Sequence, residues 1–83
     1  MSIVNRSFDT VPGTSVLVTP YIYAVRLLGV DRSGIGQYPI PASAPSDIPA
    51  AGSRQFFHYG SELYFDPTNP FVDGEKVNVL YEI

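Results

Sequence analysis

The sequence contains no cysteine and only one histidine, His58, among its 83 residues. Disulfide bonds and thiolate metal sites are therefore excluded, as is a zinc site built from several histidines of one chain. A chain of this length forms one domain, 1–83, and buries only about 60% of the surface that its unfolded form exposes. Small domains usually supplement such a core with disulfides, metal or association. We therefore expect this chain to associate with other chains.

Basic residues are also few: the chain has five Lys and Arg and eight Asp and Glu, which gives a net charge of −3. They are scattered, so the basic footprint that nucleic-acid binding requires is missing. No apolar run approaches the ~20 residues of a membrane-spanning helix. The start, MSIVNRSFDT, lacks the layout of a signal peptide. We expect a soluble protein made in a cytoplasm, with neither nucleic acid nor membrane as a partner.

Catalytic patterns are equally scarce. His58 lies between aromatic residues in FFHYG, which favours a structural or interfacial role over catalysis. No serine occupies a G-x-S-x-G elbow, and the glycines of GVDRSGIG lack the G-K-[ST] ending of a phosphate loop. These observations predict a protein that is not an enzyme and that uses no cofactor.

Four oxygen-bearing side chains fall within ten positions: Asp66, Asn69, Asp73 and Glu75. Calcium prefers oxygen ligands, but the spacing is not that of a D-x-D-x-D-G loop. Asp and Asn are also ordinary turn formers. A glycosidase pair would draw on the same carboxylates, and nothing in their spacing favours it. We predict turn residues and no metal site, with calcium binding as the alternative.

Eight prolines and seven glycines punctuate every region and leave little room for helices. Between them, β-type runs predict strands at SIVNRSF, TSVLVT, YIYAVRLLGVD, RQFFHY, ELYF and EKVNVLYEI. DRSGIG and Gly60-Ser61 are typical turns, and the latter predicts a hairpin. The sum is an all-β fold, a small antiparallel β-sandwich or open barrel of about six short strands.

For two of these runs, the pattern also predicts which residues are buried and which strand is the partner. YIYAVRLLGVD suggests a central strand on which Tyr21 and Tyr23 share a partly buried face with Val25 and Leu27. At the end of the chain, ELYF is expected to pair with KVNVLY across a turn that contains Gly74. Alternation in the last run predicts one buried face, which consists of Val77, Val79, Tyr81 and Ile83.

A proline-rich segment at residues 38–53 separates the β-type runs, and its prolines exclude a central strand. It is either a surface loop or an extended arm that contacts a neighbouring subunit. An arm restricted by proline loses less entropy when it docks, and symmetric rings or trimers would reuse one such contact. The residues predicted to bind a partner are Tyr38, Pro39, Pro41, Pro45, Pro49, Phe56 and His58.

The closing segment GSELYFDPTNPFVDGEKVNVLYEI resembles the last hairpin of small β-sandwich modules in virion proteins of tailed bacteriophages, especially tail-fibre and other appendage proteins. Those modules combine an apolar strand, a turn with proline, and a G-(D/E)-x-V-x-V-x-Y strand. LLGVDRSGIGQY also looks like the middle of such modules. The matching positions are Leu63, Phe65, Pro67, Pro70, Gly74, Glu75, Val77, Val79 and Tyr81.

The resemblance implies a structural protein of a virion, in a tail, fibre or collar or as capsid decoration. Its partners would be other copies of itself and other virion proteins. Six Tyr and five Phe leave a second interpretation open, because aromatic side chains serve interfaces and also sugar-binding platforms. A carbohydrate-binding module is therefore an alternative function, and so is a small inhibitor or regulator that acts by β-augmentation.

Overall fold

The computed structural model describes residues 2–40, 49 and 51–83, and the regular structure of these residues is β apart from one 3-10 turn at Pro20–Ile22. The predicted all-β fold is confirmed. Eight strands are described instead of about six, because two of them contain only two residues. The strands are β1 Ile3–Asp9, β2 Val16–Val18, β3 Arg26–Arg32, β4 Ile35–Gly36, β5 Tyr38–Pro39, β6 Gln55–Tyr59, β7 Glu62–Tyr64 and β8 Lys76–Glu82.

The strands form two four-stranded sheets that pack as a sandwich and do not close into a barrel. Sheet A has the order β1-β8-β3-β4, and sheet B has the order β2-β7-β6-β5. The pairs are antiparallel except β5 with β6, which is parallel. The predicted antiparallel sandwich is therefore correct in outline, with one parallel pair at an edge.

The predicted turns lie where the glycines allow them. Ser33 and Gly34 form a two-residue loop between β3 and β4, and both have positive φ, at 51° and 87°. Two-residue hairpin loops favour such conformations because their twist matches that of the flanking strands. Gly60 opens the loop between β6 and β7 with φ of 60°, and the predicted hairpin is confirmed.

The two closing strands do not pair with each other, which corrects the hairpin expected from ELYF and KVNVLY. β7 lies between β2 and β6 in sheet B, whereas β8 lies between β1 and β3 in sheet A. Residues 65–75 carry the chain from one sheet to the other. Alternation predicts which residues face the core, but it does not specify the partner strand, so sequence pattern suggested the wrong pairing.

The core lies between the sheets and includes most of the predicted face of β8. Ile83 is the exception, since it follows the end of β8 and is 64% exposed. Its backbone still exchanges two hydrogen bonds with Ser2, at 2.9 and 3.0 Å. The buried cluster consists of Leu17, Ile22, Val30, Phe56, Leu63, Phe65, Phe71, Val77, Val79 and Tyr81.

The expectation for YIYAV is wrong in its first half. Thr19 accepts the Tyr21 N–H through its hydroxyl and begins the 3-10 turn, with Pro20 at the first position. This turn buries Ile22 and leaves Tyr21 and Tyr23 52% and 64% exposed. β3 begins only at Arg26, after which the chain follows the predicted strand. Of the predicted face, Val25 and Leu27 are partly buried and pack against the core.

Candidate interaction surface

The acidic cluster of the sequence is organised around an arginine from β3. Arg32 is 6% exposed and donates to both carboxylate oxygens of Glu75, with Nε–Oε2 at 2.8 Å and Nη2–Oε1 at 3.3 Å. Nη2 also donates to the Asn69 carbonyl at 2.9 Å. The guanidinium carbon lies 4.7 Å from the ring centroid of Phe71 and 5.5 Å from that of Phe65. Arg32 therefore fixes residues 65–75, the connection between the sheets, to sheet A.

Asp66 holds the other end of the same connection. Its carboxylate accepts hydrogen bonds from the Thr68 hydroxyl at 2.7 Å, the Thr68 N–H at 2.9 Å and the Gly52 N–H at 2.6 Å. These bonds favour the charged form and lower the pKa of Asp66, and Arg32 adds to the effect. Asp66 thus joins this connection to Gly52, just before β6.

Two opposing effects act on the pKa of the Glu75 carboxyl. Burial raises the pKa of its carboxyl, but the hydrogen bonds from Arg32 and from the Val72 N–H outweigh burial, so the pKa lies below its usual value. Among residues 2–40, 49 and 51–83, no group of three or more His, Asp or Glu side chains could hold a metal ion. The carboxylates of Asp66 and Glu75 both bond to protein donors, so the cluster acts as a structural joint between sheets.

His58, the one imidazole, also has backbone partners. Its Nε2 lies 3.1 Å from the carbonyl oxygen of Ile22 and 3.0 Å from that of Gly60. Both neighbours are acceptors, so Nε2 carries a proton and donates to them. The side chain ties the 3-10 turn to the loop between β6 and β7. This contact gives His58 a structural role within the monomer, which is one of the two roles, structural or interfacial, that the sequence favours. Its predicted contact with a partner stays a prediction.

The residues predicted to bind a partner lie in different environments. Tyr38 and Pro39 form the exposed edge strand β5, and the Arg54 guanidinium carbon lies 5.8 Å from the Tyr38 ring centroid. Pro49 is buried, and Phe56 is a core residue with 4% exposure, so its side chain does not reach the surface of the monomer. Pro41 and Pro45 lie outside the described residues, as does most of the predicted arm.

The exposed tyrosines are distributed over the surface, and none of the ring contacts among the described residues joins two of them. Tyr21 packs against Phe8 with ring centroids 6.0 Å apart, and Tyr59 stacks on the buried Phe57 at 6.1 Å. Four tyrosine side chains are between 48% and 64% exposed: Tyr21, Tyr23, Tyr38 and Tyr59.

An open sheet edge is the surface feature that sequence reasoning missed. β1 has seven residues, lies at the end of sheet A and pairs on one side with β8 without a register shift. Natural edge strands are usually short, or are blocked by proline, lysine or a bulge. β1 contains no proline and no lysine. The sequence contains this signal, since SIVNRSF is predicted as a strand and carries neither proline nor lysine; its one charged residue, Arg6, is engaged by Tyr21 and Tyr81.

An aromatic and basic cluster borders this edge. The Arg6 guanidinium carbon lies 4.0 Å from the ring centroid of Tyr21, within the range of a cation–π contact. Arg6 Nε also donates to the Tyr81 hydroxyl at 3.3 Å. Phe8 packs against the same ring of Tyr21. Arg6 and Phe8 are therefore held by Tyr21 next to the outer edge of β1, which has no partner strand among the described residues.

Comparisons with known proteins add no relative. No family model matches the chain, and neither the curated proteins nor the solved structures give a significant match. In the part of the chain that the structure describes, no helix has the length and apolarity needed to cross a bilayer.

Proposed function

We propose that the chain is a non-enzymatic structural subunit that works through contacts with other copies and with other proteins. The observation that supports this role is the long, continuous edge of β1, which has no partner strand on its outer side among the described residues. A seven-residue edge strand without proline or lysine is a template for pairing with another chain. Such an edge is a liability in a free monomer, and it is removed when a partner covers it.

The virion of a tailed bacteriophage is the proposed setting, in a tail, fibre or collar or as capsid decoration. This part of the proposal depends on the resemblance of residues 60–83 to modules of phage virion proteins. Because β7 and β8 belong to different sheets, the resemblance is one of sequence pattern and not of a shared hairpin. The structural roles of His58, Asp66 and Glu75 favour a scaffold over a catalyst.

Sedimentation of particles tests this proposal. Particles released by cells that carry the gene are purified by density gradient, washed in high salt and measured by quantitative mass spectrometry. We expect the chain in the particle band, in many copies per particle. A chain found only in the soluble fraction would refute the virion role.

Carbohydrate binding is the second candidate, because the four exposed tyrosines supply amphipathic rings on a β scaffold. A glycan array with the purified protein distinguishes the two functions. Binding to a defined glycan that is weakened by Tyr21→Ala or Tyr59→Ala would favour the carbohydrate module. An array without any bound glycan would favour the structural subunit.

A further inference from the structure

The free edge of β1 has a defined hydrogen-bonding pattern. Ser2 and Ile83 exchange both backbone hydrogen bonds, and the register of β1 against β8 then runs without a shift. In antiparallel pairs, alternate residues bond to the partner strand and the residues between them direct N–H and C=O the other way. Four residues of β1 therefore direct their backbone groups away from sheet A: Ile3, Asn5, Ser7 and Asp9.

The other sheet edges offer much less. β2 has three residues and is followed closely by Pro20, β4 has two residues, and β5 contains Pro39. Among the described residues, no backbone hydrogen bond from another element reaches the outer edge of β1. β4 leaves the outer edge of β3 uncovered at residues 26–29, but a register shift between Leu27 and Gly29 interrupts this stretch. β1 is therefore the longest uninterrupted edge among the described residues and the one best suited to pair with a strand of another molecule.

We propose that β1 pairs antiparallel with β1 of a second copy, about a two-fold axis at Ser7, so that two copies of sheet A form one eight-stranded sheet. The inference names the contact behind the multi-copy role proposed above and depends on that role. A two-fold pair differs from the ring or trimer expected from the sequence, because the contact uses the same edge of both copies and closes on itself.

Charge and side-chain matching select the register. Pairing centred on Arg6 would place that cation opposite its own symmetry mate, and like charges directly opposite are destabilising. Pairing centred on Ser7 instead places Asn5 opposite Asp9, where an amide can donate to a carboxylate. On the other face it places Arg6 opposite Phe8, a cation–π pair. Each match occurs twice because of the symmetry.

The alternative centres on either side are poorer. Centring on Asn5 also pairs five residues, 3–7, but it places Arg6 opposite Val4 and moves Asp9 beyond the start of the partner strand. Centring on Phe8 leaves only residues 7–9 of each β1 paired. The Ser7 register retains residues 5–9 of both strands, and Arg6 is already oriented by its contacts with Tyr21 and the Tyr81 hydroxyl.

Single-cysteine variants test the register directly, because the chain has no cysteine of its own. In the proposed pair, the two Ser7 Cα atoms are about 5.5 Å apart, within the range that a disulfide spans. The two Asn5 Cα atoms are about 14 Å apart, since each lies four residues from the position opposite its mate. Under mild oxidation, Ser7→Cys should form the covalent dimer at least about tenfold faster than Asn5→Cys.

A second variant pair tests the edge without oxidation. Ser7→Pro removes an outward N–H but none of the bonds to β8, whereas Ser7→Val retains that N–H and suits a strand. Analytical ultracentrifugation should show a dimer for the parent and for Ser7→Val. The dissociation constant of Ser7→Pro should rise about tenfold or more, because two symmetric hydrogen bonds are lost. Circular dichroism checks that each variant is folded.

The outcomes are distinct. A parent chain that stays monomeric to millimolar concentration, or an Asn5→Cys variant that cross-links as fast as Ser7→Cys, would overturn the proposed pairing. If Ser7→Pro does not fold, the cysteine comparison decides alone. Presence in purified particles without cross-linking at Ser7 would refute this contact and support the virion role. Cross-linking at Ser7 in a chain absent from particles would support this contact and refute the virion role.

Discussion

Replacement of Arg32 by methionine should remove a large share of the stability of this protein. The variant retains an unbranched apolar side chain beside Phe65 and Phe71 but leaves Glu75 without its cation. The Glu75 side chain is only 9% exposed, and the Asn69 carbonyl also loses its donor. Breaking a buried ion pair costs about 3–5 kcal/mol. Arg32, Asn69 and Glu75 line an open cleft on the surface. Solvent in this cleft reduces the cost of a lone charge and favours the lower end, about 3 kcal/mol.

That loss is large against the stability expected for a chain of this length, about 4–12 kcal/mol at ~0.05–0.15 kcal/mol per residue. In a domain of this size, 1 kcal/mol shifts the melting temperature by about 4–8 °C. Arg32→Met should therefore melt about 12–24 °C below the parent. Lys76→Ala is the matched control, because Lys76 pairs with Asp9 on the exposed surface and such pairs contribute ~0–1 kcal/mol.

A double-mutant cycle separates the ion pair from general disruption. Arg32→Met, Glu75→Gln and the double variant are unfolded in urea and followed by circular dichroism. The amide oxygen that Glu75→Gln introduces can still accept the Val72 N–H, so that contact is retained. We expect the double variant to lose about 1–3 kcal/mol less than the sum of the single variants. Additive losses, or a loss below about 1 kcal/mol for Arg32→Met, would refute the assignment of Arg32 as the joint between sheets.

Three further predictions follow from the core, the connection and the proline-rich segment. Val79→Asp should prevent folding, since a buried unpaired charge costs several kcal/mol, whereas Lys76→Ala should leave melting nearly unchanged. Because Thr68 donates two hydrogen bonds that lower the pKa of Asp66, stability should fall as pH drops below about 3.8, and Asp66→Asn should flatten this fall in melting curves. Deletion of Ala42–Ile48, which retains the buried Pro49, should preserve cooperative melting but lower the assembled mass in light scattering.

Local pattern was sufficient for much of the strand content. The apolar residues of β8 alternate, and three of the four residues predicted for its buried face are in the core. Gly34 and Gly60 have the positive φ that two-residue loops require, and both predicted turns are present. These features depend on neighbours in sequence, so a single sequence contains enough information to predict them.

Features that depend on distant residues were not predictable in the same way. β7 and β8 lie in different sheets, and the connection between them is held by Arg32, 43 positions from its partner Glu75. In the sequence, Arg32 belongs to a turn signal and Glu75 to an acidic cluster, and neither pattern indicates the other. The exposed Tyr21 follows from the capping of a 3-10 turn by Thr19, which interrupts a run that otherwise has strand character.

Two arginines of the sandwich have different roles: Arg32 joins the sheets in the interior, and Arg6 lies beside the open edge of β1. Arg32 has its hydrogen-bonding groups turned toward Glu75 and Asn69 and is buried, so it stabilises the fold of one chain. Arg6 lies at the boundary of sheet A, held by Tyr21 and the Tyr81 hydroxyl while its strand has one side unpaired. Orienting a side chain beside an open edge lowers the entropy lost when a second strand arrives. The geometry at Arg6 therefore favours the proposed pairing of β1 with β1 of a second copy.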